Sequence, residues 1–70
     1  MDSDLGSDRL QVERKQFFFD LKENQRGRFL RITEDVGGRR DSIVLPASGL
    51  RAFRDTLDRL IEAAPTDVEG

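Results

Sequence analysis

Cysteine and histidine are both absent from this chain. The first absence removes disulfides and thiolate metal sites, and the second removes the commonest metal ligand and the usual general base. A nucleophile would have to come from Ser3, Ser7, Ser42, Ser48 or a threonine with no imidazole to activate it, and no carboxylate pair stands at a recognisable spacing. No enzymatic activity and no small-molecule substrate are therefore expected. No apolar run approaches the ~20 residues of a membrane span, and the first residues lack a signal peptide's hydrophobic core. The expectation is a soluble protein without a membrane partner that stays in the compartment where it is made.

Size sets the next bound. Seventy residues make one domain at most, and a chain this short buries only roughly 60% of the surface its unfolded form exposes. With disulfides and metal excluded, oligomerisation is the remaining way to stabilise it. The net charge of −2 is unevenly spread, since residues 9–40 carry nine Lys or Arg against five acidic residues. Asp2, Asp4 and Asp8 at the front and Asp67 and Glu69 at the back are unmatched locally. The centre is basic, and the acidic ends could swing away from a basic surface or compete for it.

Residues 15–33 organise the chain. Side chains alternate along a strand, so Phe17, Phe19 and Leu21 point one way while Phe18, Asp20 and Lys22 point the other. A two-residue loop at Gln25 and Arg26 sets Leu21 opposite Leu30 and Phe19 opposite Ile32, and on the other face pairs Asp20 with Arg31, Lys22 with Phe29 and Phe18 with Thr33. The pair Gly37-Gly38 marks a second tight turn, because both central positions of the favoured hairpin turn need positive φ. Arginines follow it, but it joins two strands and opens no helix, so it reads as a turn and not as a phosphate cradle. Across it Ile32 meets Ile43 and Leu30 meets Leu45, and two independently chosen turns agree on one apolar face.

The rest of the chain follows in order. Residues 1–7 are acidic and small and are expected to be disordered. Residues 8–14 read as a half-buried strand on Leu10 and Val12, which either continues into the Phe-rich strand through a kink or is separate from it. Strands over 28–36 and 40–45 come next, and Pro46 ends the sheet. Ser48 is the expected N-cap of an amphipathic helix of about four turns, with Leu50, Phe53, Leu57, Leu60, Ile61 and Ala64 on one face. Pro65 stops it, and 65–70 is a flexible polar tail. The fold class is α+β, an antiparallel sheet followed by one helix that covers its core face. Phe18, Phe29 and Val44 are left on the uncovered face, which asks for a second copy or a ligand.

Single-stranded nucleic acids are held by cations that follow the backbone and by rings on which bases stack. Lys22, Asn24, Arg26, Arg28, Phe29 and Arg31 supply cation, amide and ring around one turn, with Phe18 nearby. Asn meets a base edge with donor and acceptor together, and Arg favours guanine acceptors. The same pattern also fits a solvated turn over phenylalanines that belong to the core.

These residues carry a resemblance. Residues 20–32, DLKENQRGRFLRI, preceded by the aromatic run 17–19 and followed by LPASGLRAFRD at 45–55, closely resemble one repeat of the PUR family of purine-rich-element binding proteins, over residues 10–64. The resemblance implies a repeat of four antiparallel strands and a helix (ββββα, residues 8–64), two of which intertwine into a compact Whirly-like domain, each helix packing with the other half. With one repeat in this chain, that domain would be a homodimer. The family's Lys-x-Asn-x-Arg contact element carries over to Lys22, Asn24 and Arg26, and its stacking phenylalanine to Phe29. Arg28, Arg31 and Phe18 are further candidates. Family members bind purine-rich, especially guanine-rich, single-stranded DNA and RNA and can open duplexes, and no cofactor is implied. Such a regulator of transcription or RNA would work in the cytoplasm, with a nucleoid association, in a bacterium, and in nucleus and cytoplasm in a eukaryote. The alternative is a dimerisation or protein-interaction module whose aromatic face is an interface.

Overall fold

A computed structural model describes residues 2–64. Four antiparallel strands, β1 (Ser3–Val12), β2 (Lys15–Asn24), β3 (Gly27–Val36) and β4 (Arg39–Pro46), lie side by side in chain order, followed by a 3₁₀ turn (Ala47–Gly49) and a helix, α1 (Leu50–Ala63). Three two-residue turns join the strands. In the last of them Gly37 and Gly38 take φ of 61° and 89°, as the turn chemistry requires.

The register follows the apolar alternation. Leu21 faces Leu30 and Phe19 faces Ile32 across β2 and β3, and Leu30 faces Leu45 and Ile32 faces Ile43 across β3 and β4. Leu10 joins the row opposite Phe17. One face of the sheet is therefore an apolar field running from Leu10 to Leu45. The other carries Arg9, Phe18, Lys22, Asn24, Phe29, Arg31 and Arg40.

Three expectations need correction. The segment 1–7, expected to be disordered, is drawn into β1 from Ser3 onward, where Ser3 pairs with Glu23 and Asp4 with Lys22 beyond a bulge at Leu5. The unpaired N–H and C=O groups on the outer edge of β2 recruit the chain whatever its composition. Residues 8–12 are thus the second half of a separate strand, and Glu13 and Arg14, expected to belong to it, form the turn into β2, with Glu13 at φ 56°. Ser48 is not the helix cap, since it lies inside the 3₁₀ turn and Gly49 occupies the cap position without a side-chain hydrogen bond. Pro46 at the end of β4 enters the tighter turn first and moves the start of α1 past Ser48. The expected tail at 65–70, with Pro65, lies outside the described residues.

The third correction concerns packing. The helix does not cover its own sheet. Residues 51–63 are all exposed, and no side chain among the described residues is fully buried. The 3₁₀ turn packs against β3 and runs straight into α1, which leaves no loop with which the helix could double back over the apolar face. Both apolar surfaces stay open, with Leu10, Val12 and Ile43 on the sheet and Phe53, Leu57, Leu60 and Ile61 on the helix all exposed. The shape is a slab of 43 × 30 × 16 Å, one sheet layer thick. Stable domains pair two such layers.

Candidate nucleic-acid interface

The polar face of the sheet is built by the first hairpin. Alternation puts Phe18, Lys22 and Asn24 of β2 on this face, and the register sets Phe29 of β3 opposite Lys22 and Arg31 opposite Asp20. At the hairpin tip the Asn24 Oδ1 accepts a hydrogen bond of 2.9 Å from the Arg26 backbone N–H. This closure folds Arg26 back beside the strand end, so Asn24 shapes the loop that presents Arg26 while its amide nitrogen stays available. Gly27, with φ 129°, restarts β3 in a conformation closed to most side chains.

Asn24, Arg26, Phe29, Arg31, Val44 and Pro46 border a shallow groove of about 550 Å³ with Asp2 at its lip. Phe29 is half-buried and lies between Lys22 on β2 and Pro46 on β4, so its ring has an apolar side and a cationic side. Arg31, between Asp20 and Val44, closes no ion pair among the described residues although it stands opposite a carboxylate. The groove offers a ring face, the cations Arg26 and Arg31 and an amide, and Lys22 adds a third cation across the register from Phe29, which suits a base next to its phosphates.

Of the seven residues expected from the sequence, the structure brings together Lys22, Asn24, Arg26, Phe29 and Arg31. Arg28 falls on the other face. It borders the groove through its place in β3, but it alternates with Phe29 and its Nε donates to Glu23 Oε1 at 2.8 Å across the apolar side. Phe18 shares the polar face but lies four residues along β2 from Lys22, roughly 13 Å by strand rise.

Two arginines surround Phe18 and were not anticipated. Arg40 holds its guanidinium carbon 5.5 Å from the Phe18 ring centre, within cation–π range, while its Nε donates to Asp35 Oδ2 at 2.9 Å. Asp35 also accepts from the Gly38 N–H at 3.0 Å, so one carboxylate fixes both the second turn and this arginine. Arg9 lies directly opposite Phe18 on β1. The Gly37-Gly38 register sets Arg40 opposite Asp35 and could have located it. Arg9 owes its place to the β1–β2 register, which alternation alone does not fix.

Among the described residues, no group of three or more acidic side chains is placed to hold a metal ion, and no helix is long and apolar enough to cross a membrane.

Comparison with known proteins places this arrangement. The whole chain, residues 1–70, matches the family described as PurA ssDNA and RNA-binding protein. The chain belongs to the PUR family. It is 44% identical over 61 residues to Transcription factor Pur-alpha 1 of Arabidopsis thaliana, covering 87% of this chain and 21% of that protein. It is 46% identical over 65 residues to Transcriptional activator protein Pur-alpha of Homo sapiens, covering 83% of this chain and 20% of the relative. The human Transcriptional regulator protein Pur-beta matches at 44% over 73 residues, or 83% of this chain and 23% of that one. The chain thus spans about a fifth of the length of these relatives. The four strands and one helix are the PUR repeat that the motifs implied.

Proposed function

We propose that this chain works as a homodimer that binds single-stranded, purine-rich DNA or RNA through the polar face of its sheet, in the regulation of transcription or RNA, without catalysis. The observation that carries the reading is the groove at Phe29, lined also by Asn24, Arg26 and Arg31, with Lys22 directly opposite Phe29 on the face away from the apolar field. Phe29 stacks on a base, Lys22, Arg26 and Arg31 meet phosphates and base edges, and the Asn24 amide donates to a base acceptor. Phe18, flanked by Arg9 and Arg40, takes a second base farther along the same face. Arg28 supports the rim and does not reach the strand.

Dimerisation rests on a separate observation. The chain exposes 6043 Å², about 1,600 Å² more than a compact monomer of its 8.0 kDa. That surplus matches one subunit's share of an obligate interface. A second copy whose helix lies on the apolar field of the first, and the reverse, would bury Phe53, Leu57, Leu60 and Ile61 against Leu10, Phe17, Ile32 and Ile43. A nucleic-acid partner places the protein inside the cell.

Competition for a labelled guanine-rich strand by unlabelled guanine-rich and pyrimidine strands, with mass measured by light scattering, tests both parts. Displacement by the purine strand at lower concentration, from a particle of twice the chain mass, is the expected result. Equal displacement by both strands would remove the purine preference, and a monomeric particle would remove the dimer.

A further inference from the structure

The acidic start of β1 lies on the candidate interface. Asp4 Oδ1 stands 3.4 Å from Lys22 Nζ, and Asp2 lines the groove with Asn24, Arg26, Phe29 and Arg31. Both carboxylates therefore occupy ground where the phosphates of a bound strand would go. A carboxylate against a lysine presents the same acceptor oxygens and the same sign of charge as a phosphate. The Lys22 side chain is 23% exposed while that of Asp4 is 80% exposed, so the cation is held in the sheet and its partner is the removable half of the pair.

The local structure also favours release. The β1–β2 ladder is interrupted between Asp4 and Gly6, so Ser3 and Asp4 are held by a short piece of pairing beyond a bulge. All of β1 is exposed, and it is an edge strand with one neighbour. A segment paired on one edge only and cut off from the rest of its strand by a bulge opens at little cost in free energy without disturbing the register from Gly6 to Val12.

From these contacts we infer that residues 2–4 form an intramolecular competitor for single-stranded nucleic acid. The segment neutralises Lys22 and covers the lip of the Phe29 groove until a strand displaces it. Non-specific contacts of one or two phosphates do not repay that displacement, whereas a strand that also stacks on Phe29 does. The segment thereby raises the discrimination between a bound strand and a passing polyanion. This inference rests on the proposed nucleic-acid function.

The test uses the full chain with two charge-matched variants, Asp2→Asn/Asp4→Asn and Asp58→Asn/Glu62→Gln, the second pair lying on the polar face of α1. A short guanine-rich strand and heparin, a polyanion without bases, are titrated at low and high salt. An exposed ion pair shifts an equilibrium by roughly fivefold or less. The Asp2/Asp4 variant is therefore expected to bind the strand roughly two- to fivefold more tightly at low salt, to gain more for heparin than for the strand, and to lose most of the gain at high salt. The helix variant should stay near the wild type. Backbone amides of Asp4 and Leu5 should exchange faster when the wild type is saturated with the strand. Equal gains in both variants would reduce the effect to net charge and overturn the inference. No gain in the Asp2/Asp4 variant, with wild-type binding intact, would overturn it alone. Failure of the wild type and both variants to bind the strand at any salt would overturn the nucleic-acid reading as well.

Discussion

Lys22 and Phe29 stand directly opposite each other on β2 and β3, so a cation and a ring share one position on the polar face. In the proposed complex the ring takes a base and the cation its phosphate. Phe29→Ala should weaken binding of a single strand by about 1–3 kcal/mol while leaving the dimer mass unchanged. Lys22→Ala should reduce the steepness of the log-affinity against log-salt plot by about 0.7. Anisotropy titrations at several salt concentrations measure both. Loss of the dimer in Phe29→Ala would make Phe29 a core residue and reverse the face assignment.

Arg28 and Arg31 are separated by alternation. Both belong to the same basic run, but the Arg28 guanidinium is paired with Glu23 on the apolar side while Arg31 faces the groove. Arg31→Ala should weaken strand binding several-fold, and Arg28→Ala should change it by less than twofold. A larger loss for Arg28→Ala would mean that its ion pair with Glu23 opens on binding.

The helix supplies a prediction that depends on the dimer. Leu57 and Leu60 are 48% and 59% exposed in the single chain. If the chain worked alone, replacing either with Ala would shift stability by about 0.5 kcal/mol or less, as surface substitutions do. The proposed dimer would bury both, and each replacement should then cost about 2–5 kcal/mol, enough to unfold or dissociate so small a protein. Chemical denaturation at two protein concentrations, followed by circular dichroism, distinguishes these outcomes.

The two hairpin turns differ in what they tolerate. Gly37 has φ 61°, a region that Asn enters with modest strain, but Gly27 has φ 129°, which is almost closed to side chains. Gly37→Asn should leave the denaturation midpoint nearly unchanged, whereas Gly27→Ala should cost about 1–3 kcal/mol and loosen the loop that presents Arg26. Equal midpoints for the two variants would contradict this account of the first turn.

Much of the sheet was legible because turn chemistry and alternation constrain each other. The Gly37-Gly38 signal and the two-residue loop at Gln25-Arg26 give the pairs Leu21 with Leu30 and Ile32 with Ile43, and these pairs are observed. The polar-face cluster of Lys22, Phe29 and Arg31 follows from the same register. Three features lay beyond local pattern. The pairing of Ser3 and Asp4 depends on an open edge elsewhere in the chain, and composition alone argues for disorder there. The turn register places Arg40 on the polar face opposite Asp35, but its contact with the Phe18 ring spans strands that are not neighbours. The helix carries a clear apolar stripe, but periodicity says only that the stripe must be covered, not by which chain. The motif resemblance implies a second copy of the chain, and the exposed stripe of α1 is the surface that the proposed dimer would cover.

The central claim is that one cluster on the polar face holds a single strand. Its most direct test is a titration of a short guanine-rich strand against the wild type and Lys22→Ala/Arg26→Ala at two salt concentrations, with light scattering on the same samples. The expected result is binding by a dimer that weakens with salt and is lost in the double variant, whose mass is unchanged. A wild-type dimer that leaves the strand free at low salt would contradict it, and the aromatic face would then be assigned to a protein partner.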